Sequence, residues 1–554
     1  MVIVAPTDPH RDAAVEQIVQ LILDLQHCAL AAGHEQPLLI ALDQENGSLN
    51  AFSEDAITQF PHAMGIAACQ STTIAGEIAS AVAKELSCLG VNWILGPVLD
   101  VLSGVRPQSI GVRAFGDDPT EVGMYGKAII ASYNNQNLAC CGKHFPSYGD
   151  VDFSQTSQYS KPTISQPAGQ LQQGSLLPFA AAIESGVDAM FVGGCAMTGF
   201  GEAIPHACLS PKIVTELLRK KMGFSGVALG DCLLLESVYQ NTEAEIGNRA
   251  IAAVRAGCDM FMVCQSFTCQ VRALDRLKAA VLEDHLPRSL ITNALERVNR
   301  LKSKCTNWQK ALYPSGLSAL QDLKQSHQSL SLKAYRAAIS VVRDYRSVIP
   351  RIASLLSTGD EILLLTPLLD LFPSTATKLG SSPSLHESGS RAQGQFLGEE
   401  VFQHFGSLLA RAQGSRVLHA SYSSNGIRPQ QEELINRSAA VIVMTADAAR
   451  NTYQYGVAKY VNMLCKFGAR QSTLDNDAAQ AKPYIVVAVS SPWDFLSDPD
   501  IASYVCTYDF SSRALETLAE LLCGTLIARG VPPLGPSRRK KRGRGDSATG
   551  AETH

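Results

Sequence analysis

Leu38-Leu-Ile-Ala-Leu-Asp-Gln-Glu45 sets a short apolar run directly against three hydrogen-bonding side chains, two of them carboxylates. A run this short, closed by polar residues, reads as a buried strand with its chemistry at the C-terminal end. The same design recurs along the first part of the chain. Residues 2–5, 93–95, 139–142, 189–192, 226–229 and 260–263 read as further strands, most of them followed by a helical stretch. Repeated strand-helix units predict a parallel sheet, and seven of them before about residue 300 favour a TIM-like (β/α) barrel over an open sheet. The first strand begins almost at Met1, so no leading helix is expected to close the barrel floor.

Beyond this the pattern changes. Residues 287–345 read as a more polar, helical connection, and a smaller α/β sandwich follows with strands at 361–365, 440–444 and 484–489 and an edge at 504–508. Its last helix is expected over 512–527, and the Ser-, Thr- and Gly-rich residues 373–393 form a surface loop. The expected organisation is therefore an α/β chain: barrel over 1–300, helical linker over 301–345, sandwich domain over 346–535, and a disordered basic tail over 536–554.

Composition narrows the function. With 554 residues, 46% apolar and 18% charged, the chain suits at least two ordinary globular cores rather than disorder. No stretch has the length and apolarity of a membrane span, and the first residues lack the apolar core of a secretory signal, which predicts an intracellular, cytoplasmic protein. A net charge of -4 argues against a nucleic-acid-binding core. The cluster Arg538, Arg539, Lys540, Lys541, Arg542 and Arg544 is either a solvated tail or a nuclear import signal. The 15 cysteines are scattered without a C-x-x-C pair, and are read as reduced and structural.

The strand ends carry the candidate chemistry. Residues just beyond the strands of a parallel barrel converge on one mouth. Here those residues are Asp43, Gln44 and Glu45 after the second strand, Lys143 and His144 after the fourth and Asp231 after the sixth, with Arg113 in the loop after the third. Asp43 can accept from two sugar hydroxyls while Arg113, Lys143 and His144 donate, so the set suits a polyhydroxylated ligand. An Asp at such a mouth can also attack an anomeric carbon. Taken singly, Asp43 and Asp231 fit helix caps equally well. Asp100 and Asp188 are read as structural, and His206 as a residue near a helix start that can line the mouth.

These residues fall in motifs that resemble glycoside hydrolase family 3, in its β-N-acetylglucosaminidase branch with a following α/β domain. The motifs are Leu38 to Glu45 as quoted, Gly96-Pro-Val-Leu-Asp-Val101, Ile110-Gly-Val-Arg-Ala-Phe115, Gly142-Lys-His-Phe-Pro146 and Gly223-Phe-Ser-Gly-Val-Ala-Leu-Gly-Asp231. Ala488-Val-Ser-Ser-Pro-Trp-Asp494 and Gly530-Val-Pro-Pro-Leu534 extend the likeness into the second domain. The resemblance implies a retaining exo-β-N-acetylglucosaminidase acting on a carbohydrate or glycoconjugate. Asp231 would be the nucleophile, Asp43, Arg113, Lys143 and His144 the first sugar subsite, and no metal or organic cofactor would take part.

One family element is missing. The branch carries its general acid/base on a His, held by an Asp two residues earlier, in a loop shortly after Lys-His-Phe-Pro. Here that loop reads Ser147-Tyr-Gly-Asp-Val-Asp-Phe-Ser-Gln-Thr-Ser-Gln-Tyr-Ser-Lys161, and no His occurs between His144 and His206. Losing that proton transfer costs roughly 10² to 10⁴ in rate. Asp152 or Asp150 on this loop is one replacement, its pKa raised near a second carboxylate. A carboxylate from the second domain is another. The remaining alternatives are a homologue that binds a sugar without efficient hydrolysis, and transfer to an acceptor such as phosphate. The family's usual Gly and Arg after Asp-Gln-Glu are Asn46 and Ser48, and Gly230 precedes Asp231 where Ser or Thr is usual.

Overall fold

The computed structural model describes residues 2–3, 12–47, 52, 56–103, 110–151, 162–200, 203–234, 242–264, 266–349, 352–356, 359–368, 399–471 and 482–535. The seven expected strands form as β1 (Val2–Ile3), β2 (Ile40–Leu42), β3 (Trp93–Ile94), β4 (Ala139–Phe145), β5 (Ala189–Val192), β6 (Val227–Cys232) and β7 (Met260–Met262). They make one parallel sheet whose spatial order is their order in the chain. That is the plan of a TIM-like barrel. Among the described residues no pairing joins β7 back to β1, so the barrel is incomplete in its hydrogen bonding.

Alternation along the strands sorts the two faces. Leu39, Ala41, Trp93, Leu95, Ala139 and Cys141 share one buried cluster, while Ile40, Leu42, Ile94 and Cys140 belong to another that includes the surrounding helices. Successive side chains point to opposite faces, so the first set fills the inside and the second lies under the helices. Helix Arg288–Cys305, which follows the last strand, adds Leu301 and Cys305 to the inner cluster. Its Lys304 pairs with Asp188 just ahead of β5. The floor, which no leading helix was expected to close, is packed by this trailing one.

The outer helices start where the sequence supplies caps. Ser71 accepts from the Ile74 N–H ahead of helix Thr72–Cys88, and Asp118 accepts from Thr120 and Glu121 ahead of helix Pro119–Asn135. Each cap contributes about 1 kcal/mol.

A second sheet is built from β8 (Ser340–Asp344), β9 (Glu361–Pro367), β10 (Arg416–Tyr422), β11 (Ala440–Thr445), β12 (Tyr484–Ala488) and β13 (Ser503–Cys506). Its order is β8-β13-β12-β11-β9-β10, with β8 antiparallel to β13 and the other pairings parallel. Several elements differ from the sequence reading. Strand β8 lies in the stretch read as helical, and β10 was not expected. The strand expected at the edge, β13, is flanked on both sides, and β8 takes the edge instead. Helix Ser512–Leu522 stops five residues before the expected end. A short parallel pair, Thr163–Ile164 with Ala196–Met197, was also not foreseen. The loop expected over 373–393 and the basic cluster at 538–544 lie outside the described residues. No helix among the described residues is long and apolar enough to cross a membrane.

The two sheets are tied together through helix Gly316–Ala338, which packs against helix Thr72–Cys88. Its Tyr335 hydroxyl donates to Asp509 Oδ2 at 2.9 Å. The residues after the last helix then run back over the barrel. Val531 N–H donates to the Ala68 carbonyl at 3.0 Å and Gly535 N–H to Asp117 Oδ2 at 2.9 Å. The second sheet is therefore locked to the side of the barrel that bears Arg113.

Candidate active site

Strands β2, β4 and β6 are alternate strands of the sheet and all run the same way, so their polar ends meet at one mouth. The structure brings Asp43, Arg113 and Lys143 into one chain of ion pairs through Glu45. Lys143 Nζ lies 2.6 Å from Asp43 Oδ1 and 2.6 Å from Glu45 Oε1. Arg113 grips the same Glu45 with two donors, Nε to Oε2 at 2.6 Å and Nη2 to Oε1 at 2.8 Å. Burial alone would raise the Glu45 pKa, but the Arg113 and Lys143 cations override it and hold the carboxyl well below its usual range. Burial works against the charge on Lys143 too, and Asp43 and Glu45 keep that ammonium protonated. At the outer end of the chain the Asp43 carboxylate is 56% exposed, so it can accept from a ligand while still paired.

His144 is held differently. Its Nδ1 sits 2.7 Å from Asp100 Oδ2, and Asp100 Oδ1 accepts from the Tyr148 N–H at 2.6 Å. The ring is stacked on Tyr148, with centroids 4.8 Å apart, and meets the edge of Phe191. Asp100 is thus structural, as expected, but its role is to fix the orientation of the histidine at the mouth. Cis peptide bonds at Lys143–His144 and Phe145–Pro146 accompany this arrangement.

Asp231, near the end of β6, is buried without a salt bridge among the described residues. Its Oδ1 accepts from Cys232 N–H at 2.7 Å, and its Oδ2 from Gly194 N–H at 2.9 Å and from the Tyr148 hydroxyl at 3.2 Å. Burial raises its pKa, and the two main-chain donors, the His144 charge and the Tyr148 hydroxyl offset part of that rise. His206 supports the same arrangement, with Nδ1 lying 3.2 Å from the Gly194 carbonyl. Gly193 matters here because any Cβ would collide with the Tyr148 hydroxyl.

Two departures from the family pattern find physical reasons. Asn46 has φ 67°, a left-handed conformation that Asn tolerates better than most residues, so it stands in for the usual Gly. A Cβ at Gly230 would lie 3.2 Å from Cys258 Sγ, a tight contact that the missing side chain avoids.

The sequence reading missed three contributors: Glu45 as the bridge, Asp100 as the histidine's anchor and Tyr148 as a donor to Asp231. The motifs held the first two in plain view, and Tyr148 lies in the loop that was quoted for its missing His. Asp150 is half-buried on that loop, while Asp152 lies outside the described residues.

The ion-pair chain yields a stability prediction. Glu45→Gln leaves the half-buried Arg113 guanidinium and the buried Lys143 ammonium without their shared carboxylate and should destabilise the fold by about 2 to 3 kcal/mol, read as a lower urea midpoint. An unchanged midpoint would contradict the bridging role. Because the folded-state pKa of Glu45 lies below its ordinary 4.5, the stabilisation is complete above that pH and is lost as pH falls through the folded value.

Comparison with known proteins identifies the family. The model of the glycosyl hydrolase family 3 N-terminal domain matches residues 7–301. "Beta-hexosaminidase A" of Pseudoalteromonas piscicida is 25% identical over 558 residues, covering 94% of this chain and 86% of that protein. "Beta-hexosaminidase" of Chromobacterium violaceum is 30% identical over 325 residues, covering 55% of this chain and 82% of its own length. Among solved structures, a fungal multi-domain family 3 β-N-acetylglucosaminidase superposes with a TM-score of 0.79 at 29% identity, over 94% of this chain. The chain spans little more than half of that larger protein, 56% of its length. A matching family model over half the chain, motifs in the same order and a mouth built from their residues lead to one conclusion: the chain belongs to glycosyl hydrolase family 3, a family of glycosidases.

Proposed function

We propose that the protein is a retaining exo-acting β-N-acetylglucosaminidase that releases a terminal β-linked amino sugar through a covalent intermediate on Asp231. The observation that carries this reading is the set of partners around Asp231. They are two main-chain N–H groups and a phenol, with no cation paired to it among the described residues. Such a carboxylate is oriented without having its charge neutralised, which suits attack on an anomeric carbon. The other buried carboxylates of the mouth are engaged: Glu45 with Arg113 and Lys143, Asp100 with His144. Asp43 and Lys143 then supply an acceptor and a donor for sugar hydroxyls, with His144 and Arg113 beside them. The β-hexosaminidase relatives support the amino-sugar substrate class.

The leaving oxygen needs a proton, and the loop after Pro146 has no histidine to give it. We assign that role to a carboxyl on this loop, Asp152 first and Asp150 second. A carboxylic acid is one of the side chains that can supply that proton.

Two aryl β-N-acetylglucosaminides, one with a good and one with a poor leaving group, test the assignments. The wild type should cleave both. Asp231→Asn should lose about 10³-fold or more on each, and Asp152→Asn should lose roughly 10² to 10⁴ on the poor leaving group but far less on the good one. A wild type inert towards both would overturn the reading, and an Asp152→Asn variant with equal losses would remove that residue as the acid.

Tyr148 gives a pH-dependent test. Its hydroxyl favours the ionised form of Asp231, so Tyr148→Phe should raise the Asp231 pKa. Attack needs the carboxylate, and the acid limb of kcat/KM should therefore move to higher pH. A limb that stays in place or moves to lower pH would show that the contact does not tune Asp231.

A further inference from the structure

Two cysteines border the mouth on adjoining strands, and their thiols have no part in the chemistry above. Cys232 ends β6 and directly follows Asp231, and Cys264 lies two residues beyond the end of β7. The main-chain N–H of Cys264 donates to Cys232 Sγ at 3.4 Å, which sets the two side chains against each other across adjoining strand ends. Cys264 is half-buried, while Cys232 is buried beneath it. Asp231 and Asp43 both act electrostatically on the Cys264 thiol, which places it among the mouth's charged groups.

This pair differs from the other cysteines. Buried thiols such as Cys141, Cys195 and Cys208 are pushed up by burial and stay protonated. Cys232 and Cys264 act on each other, the first lowered and the second raised. A thiol with a second cysteine held beside it on the adjoining strand end has the arrangement that a disulfide needs.

We propose that Cys232 and Cys264 form a reversible disulfide on exposure to peroxide, and that this closure turns off the adjacent site. The Cys232 thiolate attacks one oxygen of hydrogen peroxide, breaking the O–O bond and leaving a sulfenic acid, with the departing hydroxide protonated to water. The Cys264 thiol then attacks the sulfenyl sulfur and a second water leaves. Two thiols lose two electrons and two protons, and one peroxide becomes two waters.

The structural consequence follows from bond lengths. A disulfide holds its sulfurs about 2.0 Å apart, well inside a thiol hydrogen bond, so closure draws the end of β7 towards β6. Closure pulls on Cys232, whose N–H holds Asp231 Oδ1. The effect on activity rests on Asp231 acting as proposed above; the disulfide itself does not.

The test treats the full chain with dilute hydrogen peroxide and reads two things, the alkylation and peptide mass map and the cleavage of an activated aryl β-N-acetylglucosaminide. The expected result is a peptide pair joined through Cys232 and Cys264, a fall in activity of tenfold or more, and recovery of both on adding dithiothreitol. Cys264→Ser, with Cys264→Ala as a second variant, should keep the untreated activity and resist the same exposure. If Cys232 and Cys264 stay fully alkylatable after treatment, the modification site is overturned, whatever the activity does. A linked pair with unchanged activity overturns the switch. A chain inactive before treatment, yet forming the linked pair, would count against the glycosidase reading and not against the disulfide.

Discussion

Buried charge must be paired, and this constraint organises the mouth of the barrel. Four charged side chains from different strands and loops approach each other there, and isolating any of them from water without a partner would cost several kcal/mol. The chain from Asp43 through Lys143 and Glu45 to Arg113 meets that demand in one continuous contact. Its inner members are buried, and its outer carboxylate reaches solvent. A second pairing, Asp100 with His144, fixes the imidazole. Once these ions have satisfied one another, Asp231 is left with neutral donors. A carboxylate in that position keeps its charge available, and its burial makes the charge less stable than in water.

The same network explains why the second sheet sits where it does. His62 is buried beside Asp509 and close enough to Glu45 and Arg113 to feel both, and burial pushes its pKa down. Asp509 in turn accepts from Tyr335 on helix Gly316–Ala338. The supporting layer behind the ion-pair chain is thus assembled from the barrel, the connecting helix and the end of the second sheet.

Much of this was legible in the sequence because strands buried on both faces read as short apolar runs. All seven barrel strands stand in the sequence as short apolar runs, and the polar residues after several of them marked the mouth. Strand β10 does not, because Leu418, Ala420 and their neighbours are only half-buried and alternate with His419 and Ser421. Strand β8 was hidden by its continuity with a long helix, and the internal place of β13 depends on a partner 160 residues earlier, which no local pattern reports. At the site, residue identity was readable but partnership was not. Glu45 looked like one more polar strand end until its two cations were in place, and Asp100 gave no sign that it would hold His144 and the Tyr148 main chain together.

In the proposed reaction Asp231 carries the sugar covalently. Mixing the enzyme with an activated aryl β-N-acetylglucosaminide, quenching in acid within the first turnover and mapping peptides by mass spectrometry tests it directly. A sugar adduct on the peptide containing Asp231, absent in Asp231→Asn, is the predicted result. Turnover with no adduct on that peptide, or an adduct on a different carboxylate, would contradict it.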